Sequence, residues 1–340
     1  MEKYDIIYPE SRGLFQDQLS ELGVTLKRYL SEESLGGRRI AYSKVFLSDI
    51  QNQYAAFESS STYCDTLSKA PCSIIGQAPL KGCKVAVLVK TTDLTETLVF
   101  HSFRLSDDEA SSETSYLQTL ALFKKYIDYL DEQGLDMKTH LVRTWIYISD
   151  IDVNYGGVVK ARNDIFAHYG LTADTHYIAS TGIGGESQSR HACVAMDFLT
   201  YPNIVENQKK YLQALDHLDP THDYGVAFER ATRLDTGCAR HYYVSGTASI
   251  DRHGNVLHLG DVKLQAERLI ENIRALLADG DAKLSDIRYL IVYLRDISDY
   301  HAVDTIFRQH FPSTPYIIVH AKVCRPEWLI ETECIAEKDC

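Results

Sequence analysis

The 340-residue chain has no excess of positive charge. Its 35 lysines and arginines are outnumbered by 47 aspartates and glutamates, which gives a formal net charge of −12. Sequence-independent binding to nucleic acid needs a basic surface, so the net charge speaks against this class of function. The same imbalance means that individual arginines must hold any anionic substrate against the mean field of the protein.

The chain also lacks the marks of membrane insertion, secretion and metal binding. No apolar run approaches the roughly 20 residues of a spanning helix, and the first residues, MEKYDIIYPESRG, contain no basic segment followed by an apolar one. The cysteines form no CxxC pair, and neither they nor the histidines, such as His191, His241 and His301, have metal-site spacing. We therefore expect a cytoplasmic protein with free thiols, no membrane contact, no metal and no cofactor. The cysteines are Cys64, Cys72, Cys83, Cys193, Cys238, Cys324, Cys334 and Cys340.

What the chain does contain is a unit that repeats. Three β-rich runs, KVFLSDI (44–50), RTWIYISDI (143–151) and IVYLRDI (291–297), each end in an acidic turn and precede a helical stretch and further strands. Self-similarity in a fixed order indicates a supersecondary unit that is used several times. Helices are predicted at 15–30, 113–134 and 260–280, and the last two end at a glycine. YYVSGTASID (242–251) is predicted to be a strand pair that bends at Ser245-Gly246.

The repeats divide the chain into a predicted set of domains. Residues 1–202 form an N-terminal domain of two units, about 1–92 and 93–202, and residues 237–340 form the third unit. The segment 203–236 is an insertion between them. No clear hairpin precedes the first helix, so we expect the first unit to be degenerate.

An acidic pair interrupts the last apolar strand, LIETECIA (329–336). Because strand side chains alternate between faces, Leu329, Glu331 and Glu333 share one side. Buried carboxylates cost free energy unless they have partners or a task. An edge strand with both carboxylates in water is the alternative, but the neighbouring runs are typical of buried strands.

The third unit resembles the Rid family of small enamine and imine deaminases, which are trimers. The likeness rests on SGTASID (245–251), LQAERLIENIRALL (264–277), YLIVYLRDISDYHAVDTIF (289–307) and LIETECIA, and it extends loosely over 95–198. It implies an α/β (α+β) fold in which mixed sheets carry two helices on one face, here as a pseudo-trimer within one chain. It also implies a site between neighbouring units that contains Glu331. Rid deaminases have an arginine in a Pro-x-Arg-Ser-x-Val run, whereas residues 315–319 read PYIIV, which disfavours deamination.

A single chain of this length with fused Rid-like units and an insertion resembles the chorismatases, which release pyruvate from chorismate. The motifs are NYGGVVKARNDIF (154–166), ENQKKYLQAL (206–215), VAFERATRL (226–234), DTGCARHYYVSGTAS (235–249) and HAKVCRPEWLIETE (320–333). On these motifs the resemblance implies the site residues Tyr155, Arg162, Tyr211, Arg230, Gly237, Cys324 and Glu331.

The resemblance also implies a role for each residue. Glu331 would protonate the methylene carbon of the enol ether, which requires a carboxyl group that burial keeps neutral. Two arginines, Arg162 and Arg230, would bind the substrate carboxylates through their planar forks, and Tyr155 and Tyr211 would donate hydrogen bonds. The alternatives are a structural carboxylate paired with an arginine, a solvated helix face around Arg162 and tyrosines that only pack a core.

Gly237 and Cys324 resemble the subgroup of chorismatases that forms 3-hydroxybenzoate. A small residue and a thiol would leave room for the ring to tilt, so Gly237→Ala is expected to favour attack by water; for Cys324 the alternative is an inert packed thiol. Other products, 4-hydroxybenzoate or a dihydroxycyclohexadiene carboxylate, remain open, as do an imine deaminase and a non-catalytic binding protein. The oligomeric state is open too, although three internal units make a monomer plausible.

Overall fold

The computed structural model describes residues 2–94, 98–111, 113–205, 207–221, 225–237 and 239–339. The predicted free thiols Cys238 and Cys340 lie outside the described residues. The other cysteines form no disulfide within the described part of the chain. No helix among the described residues combines the length and the apolar character needed to cross a bilayer.

Three units of the same build follow one another along the chain. The first contains β1 (Glu2–Ile7), α1 (Phe15–Leu35), β2 (Arg39–Leu47), α2 (Ile50–Glu58), α3 (Ser61–Cys64), β3 (Cys72–Gly76), β4 (Ala78–Pro79) and β5 (Val85–Thr92). The second contains β6 (Val99–Phe103), α4 (Asp107–Ala110), α5 (Ser115–Gln133), α6 (Met137–His140), β7 (Leu141–Ile148), α7 (Ile151–His168), β8 (Ala179–Gly184) and β9 (Val194–Thr200). The third contains β10 (Lys209–Leu212), β11 (Ala231–Asp235), β12 (Ala239–Thr247), α8 (Val262–Asp279), β13 (Ile287–Leu294), α9 (Tyr300–His310), β14 (Tyr316–His320) and β15 (Ile330–Asp339).

The strand order is the same in each unit. The first sheet runs β1-β5-β2-β3, the second β6-β9-β7-β8, and the third contains β12-β15-β13-β14. In each, one pair is parallel and is joined by a helical crossover, as in β7 and β8, while the other neighbours are antiparallel. The predicted α/β (α+β) fold, with a mixed sheet repeated three times along the chain, is confirmed. The first unit is more complete than expected, because β1 supplies the strand that no hairpin motif announced.

The insertion does not form a separate body. Its strands β10 and β11 hydrogen-bond in sequence onto β12 and so widen the third sheet. At the opposite edge β4 of the first unit pairs with β14 through Val319 and Pro79. The third sheet therefore has seven strands and is tied to the first unit by the backbone. The domain boundaries drawn at 202 and 236 stay predictions.

Local signals explain where the long helices begin and end. The Thr114 side chain accepts a hydrogen bond from the Leu117 amide at the start of α5, which caps the helix. The same helix ends at Gly134, whose φ of 66° is a left-handed conformation that glycine adopts without a steric penalty. Asp261 caps α8 by accepting from the amides of Lys263 and Leu264. These are the helices that the apolar period predicted.

The inner faces of the three sheets pack against one another. Phe46 of the first unit, Trp145 of the second and Tyr243 of the third belong to one buried apolar cluster. Helix–sheet packing gives the first and second units clusters of their own on the outer faces. The arrangement places β8 of the second unit beside β12 of the third. The acidic strand β15 pairs with β12 and therefore lies next to this seam.

Two details of the third unit differ from or settle the sequence predictions. The bend expected at Ser245-Gly246 is wrong, because β12 continues to Thr247 with only a register shift, and the chain turns later, at Gly254. The acidic strand β15 lies between β12 and β13, so the edge-strand alternative is also wrong. Glu331 is 4% exposed and Glu333 1% exposed, which confirms that the acidic pair faces inward.

Candidate active site

A cavity of about 320 Å³ opens at the seam between the second and third units. Helix α7 and strand β8 form its wall on one side, and β12, β15 and the loop before β15 form the other. The segment 225–230, which precedes β11, closes the cavity. The lining includes Tyr155, Arg162, Thr181, Gly182, Phe228, Arg230, Gly246, Cys324, Arg325, Trp328 and Glu331. Its size suits one small ligand.

Glu331 is the buried acid of this cavity. Burial and, second to it, the nearby Glu333 carboxylate raise the pKa of its carboxyl group from 4.5 to about 8, although Arg230 opposes the shift. The group is therefore protonated at neutral pH, which is the state a general acid needs. It lines the cavity directly, so a ligand bound there would contact this residue.

Glu333, two residues along the same face, has its own partners. Its Oε2 accepts a hydrogen bond of 2.8 Å from Arg143 Nη2, and its Oε1 accepts one of 2.6 Å from Trp145 Nε1. Arg143 also donates to the carbonyl of Val244 and to Thr181 Oγ1. The buried guanidinium of Arg143 and the indole N–H of Trp145 therefore provide a donor for each carboxylate oxygen of Glu333. The two carboxyl groups thus differ in task, since Glu333 holds the seam together and Glu331 keeps a proton.

Two buried arginines share one aromatic ring at the far wall. The guanidinium carbons of Arg162 and Arg230 lie 5.7 and 5.6 Å from the centroid of the Phe228 ring. Asp219 orients Arg230, because its Oδ1 accepts from Nη2 at 2.7 Å and its carbonyl accepts from Nε at 3.2 Å. Arginine forks fixed in this way suit the recognition of a carboxylate. The alternative that Arg162 lies on a solvated helix face is wrong, since the residue is buried.

Tyr155 and Cys324 meet beside Glu331. Burial raises the pKa of the Tyr155 hydroxyl well above its usual value, and the adjacent Cys324 adds to the shift. Burial likewise raises the pKa of the Cys324 thiol to about 12, with Glu331 as the next cause. Both groups are therefore neutral and able to donate hydrogen bonds at neutral pH. The structure brings Tyr155, Arg162, Arg230, Cys324 and Glu331 together, as the motifs implied.

The structure does not bring Gly237 or Tyr211 to the cavity. Gly237 lies in the turn between β11 and β12, and a methyl group added to it would meet nothing within 4 Å. Tyr211 stacks on the His176 ring at 4.2 Å instead. The glycine that does approach the acid is Gly246, where an added Cβ would lie 2.8 Å from Glu331 Cδ and 3.2 Å from Thr181 Cγ2. Gly246 belongs to the SGTASID motif, whereas the resemblance to the chorismatases assigned the place beside the ring to Gly237, nine residues earlier.

A third arginine, Arg325, was also missed. Its guanidinium carbon lies 4.7 Å from the centroid of the Trp328 ring, and its Nη1 donates to the carbonyl of Gly254 at 3.3 Å. Both residues line the cavity. A stacked guanidinium in this position adds a second place where a carboxylate can be bound. Arg325 directly follows Cys324 in the run Cys-Arg-Pro-Glu-Trp, so its position in the motif was the available signal.

Comparison with known proteins identifies relatives of the third unit. Residues 228–338 match the family described as endoribonuclease L-PSP. The 3-aminoacrylate deaminase RutC of Acinetobacter baylyi is 30% identical over 96 residues, which are 28% of this chain and 76% of that protein. A RutC family protein of Pyrococcus abyssi is 34% identical over 99 residues, 28% of this chain and 78% of that protein.

A solved structure extends the likeness to the whole chain. A chorismatase superposes on 99% of this chain and 98% of its own length, with a TM-score of 0.67 and 17% sequence identity. At that identity the likeness shows the fold. The predicted resemblance to a chorismatase built of Rid-like units is therefore confirmed at the level of architecture.

The raised pKa of Glu331 makes stability depend on pH in a testable way. Above pH 4.5 the unfolded chain ionises Glu331, whereas the folded chain keeps it protonated up to about pH 8. Folding then takes up a proton, so this group's contribution to stability falls as pH rises through that window. We expect Glu331→Gln to gain stability over the wild type by about 1.4 kcal/mol per pH unit across the window.

Urea unfolding of both proteins at several pH values measures this difference. All other groups titrate alike in the two proteins and cancel. The control is Glu327→Gln, which makes the same substitution at an exposed neighbouring position. A Glu331→Gln difference that does not vary with pH would show that Glu331 is ionised in the folded state.

Proposed function

Because this chain belongs, through its third unit, to the endoribonuclease L-PSP family and has the fold of a chorismatase, we propose that it cleaves the enol ether of chorismate to release pyruvate. The observation that carries the proposal is a carboxyl group kept protonated in the wall of a cavity that also contains three arginines. Chorismate has two carboxylates and an acid-labile enol ether. Each of these features therefore has a chemical counterpart in the cavity.

The arginines divide the substrate between them. Arg162 and Arg230 share Phe228 and so converge on one end of the ligand, where they hold one carboxylate. Arg325, stacked on Trp328, holds the other. Recognition of a dianion by local arginines fits a protein whose net charge of −12 would otherwise repel it. Asp219 keeps Arg230 in the orientation that meets the ligand.

The chemical step begins at Glu331. Its proton passes to the terminal methylene carbon of the enol ether, and the resulting cation makes the side chain a good leaving group. The hydroxyl on the adjacent ring carbon then displaces the side chain, which departs as pyruvate, and the hydroxyl proton passes to the Glu331 carboxylate. The ring epoxide opens to 3-hydroxybenzoate as its oxygen gains the proton that the ring carbon loses. Hydroxybenzoate and pyruvate together contain the atoms of chorismate, so no water is consumed. Tyr155 and Cys324, both neutral, lie beside Glu331 and exclude water there.

The rival functions fit the cavity less well. In Rid deaminases an arginine on the strand after the second helix holds the substrate carboxylate. In the second unit, the strand after the second helix is β8, and its residues Ser180, Thr181 and Gly182 line this cavity. The PYIIV strand that the sequence singled out, β14, does not line the cavity, yet β8 lacks the arginine as well. A binding protein would have no need of a protonated buried acid, although that alternative is open to test.

The product is a finer question than the reaction. Gly246 rather than Gly237 provides the space beside Glu331, so the assignment to 3-hydroxybenzoate now rests on Gly246 and Cys324. Formation of 4-hydroxybenzoate or of a dihydroxy acid by attack of water remains the alternative. The cytoplasmic location stays a prediction from the sequence. The monomeric state is also a prediction, and it is based on three fused units that would take the place of a trimer.

The function is tested by adding chorismate and measuring pyruvate with a coupled dehydrogenase. We expect turnover by the wild type and a loss of about 10²–10⁴-fold in Glu331→Gln, which keeps shape but removes the transferable proton. Glu327→Gln, at an exposed position in the loop before β15, should retain full activity. If the wild type releases no pyruvate, or if Glu331→Gln releases it at the normal rate, the proposal fails.

The product assignment is tested by chromatography of the ring product from two glycine variants. In Gly246→Ala the new methyl group presses on Glu331 and on Thr181, so we expect slower turnover and a larger share of the non-aromatic dihydroxy acid. The matched control Gly237→Ala has open space around its methyl group and should behave as the wild type. Equal product ratios in all three proteins would remove Gly246 from control of the product.

A further inference from the structure

A second cluster of buried ionisable groups lies where the first and third units meet. Glu2 on β1, His241 on β12 and Glu337 on β15 are 6%, 3% and 5% exposed. One ligand atom from each, a carboxylate oxygen or a ring nitrogen, lies within 4.8 Å of the others. None of the three residues lines the cavity around Glu331. The cluster therefore needs an explanation separate from the proposed reaction.

The hydrogen bonds of Thr236 fix the tautomer of His241. The Thr236 hydroxyl donates its single proton to the carbonyl of Ala239 at 2.9 Å, so it can only accept from His241 Nε2, which lies 3.4 Å away. In the neutral ring the proton is then on Nε2, and Nδ1 presents a lone pair.

Three acceptors therefore face one another. His241 Nδ1 lies 3.6 Å from Glu2 Oε2, too far for a hydrogen bond. Within the described part of the chain, neither Nδ1 nor Glu337 Oε2 has a hydrogen-bond partner. Lys90 binds the other oxygen of Glu2 at 2.6 Å, and the Tyr4 hydroxyl donates to Oε2 at 3.2 Å. Buried lone pairs that converge in this way are unfavourable unless a cation lies between them.

We propose that Glu2, His241 and Glu337 bind one divalent transition-metal ion of the Zn²⁺ type. A tetrahedral ion with bonds of about 2.1 Å places its ligand atoms about 3.4 Å apart, close to the separation of His241 and Glu2. One imidazole and two carboxylates suit Zn²⁺, whereas Ca²⁺ requires six or more oxygens. The bond from Nε2 to Thr236 is the outer contact that orients such a ligand.

The ion would join the N-terminal strand to the third unit. Strand β1 belongs to the first unit, while β12 and β15 are neighbours in the third sheet. Since the ligands are far apart in sequence, no motif spacing could announce them, and the expectation of no metal rested on spacing alone. Lys90 competes with the ion because its ammonium group already neutralises Glu2. Arg288 acts electrostatically on Glu337 and is a second competing cation.

Metal titration of the full chain tests the proposal. The protein is stripped with a chelator and titrated with Zn²⁺ against a chromophoric competitor. We expect one ion per chain and a higher unfolding temperature in its presence. Replacement by Co²⁺ should give the weak visible bands of nitrogen and oxygen ligation without thiolate charge transfer, which separates this site from the free cysteines.

Three variants and a control sharpen the test. Glu337→Gln and His241→Gln should each lower the affinity for the ion at least tenfold. Lys90→Met should bind the ion more tightly, because the competing ammonium group is gone. His310→Gln, which alters a surface pair with Glu267, should bind as the wild type does. The near-isosteric Glu337→Gln decides the matter if His241→Gln does not fold. Absence of binding, or binding that survives Glu337→Gln or shows thiolate bands, overturns the proposal.

Discussion

Two carboxyl groups buried side by side on one face of a central strand constrain the whole site. Glu331 and Glu333 cannot both be ionised cheaply there, and they reach two different solutions. Glu333 forms an ion pair with Arg143 and accepts a hydrogen bond from Trp145, an arrangement that is costly to break because it would strand a buried charge. Glu331 has no such partner of opposite charge in direct contact among the described residues, and burial beside Glu333 keeps it protonated. The ion pair that stabilises the seam thus also prepares the acid.

The threefold repeat explains the scaffold, and its breakdown explains why this seam differs from the others. Glu331 is paired across the sheet with Tyr293 of β13. The matching positions in the first two units pair Phe46 with Ala86 and Tyr147 with Ala195. Within the described residues, an acid therefore stands at this position in the third unit and alanine in the other two. Fusion of the units into one chain allows this asymmetry, which a trimer of identical subunits could not have.

Local patterns predicted the architecture well and the site in part. Repeats of apolar runs and glycine stops predicted the helices, and strict alternation predicted that Glu331 and Glu333 share a face, because both depend on neighbours in sequence. Gly237 was assigned in place of Gly246 because a motif gives the order of residues but not which of two glycines approaches a distant strand. The cluster of Glu2, His241 and Glu337 was invisible for the same reason. Sheet pairing alone brings these residues together.

The pH dependence of kcat/KM for chorismate tests the central claim most directly. Both substrate carboxylates are ionised from about pH 6 upward, so titration in this range reports on the protein. If Glu331 acts as a buried acid, kcat/KM is constant at lower pH and falls tenfold per pH unit above about pH 8, as one proton is lost. An activity that instead rises through pH 8, or does not change there, would contradict the account, because it would mean that the reaction does not use a protonated Glu331.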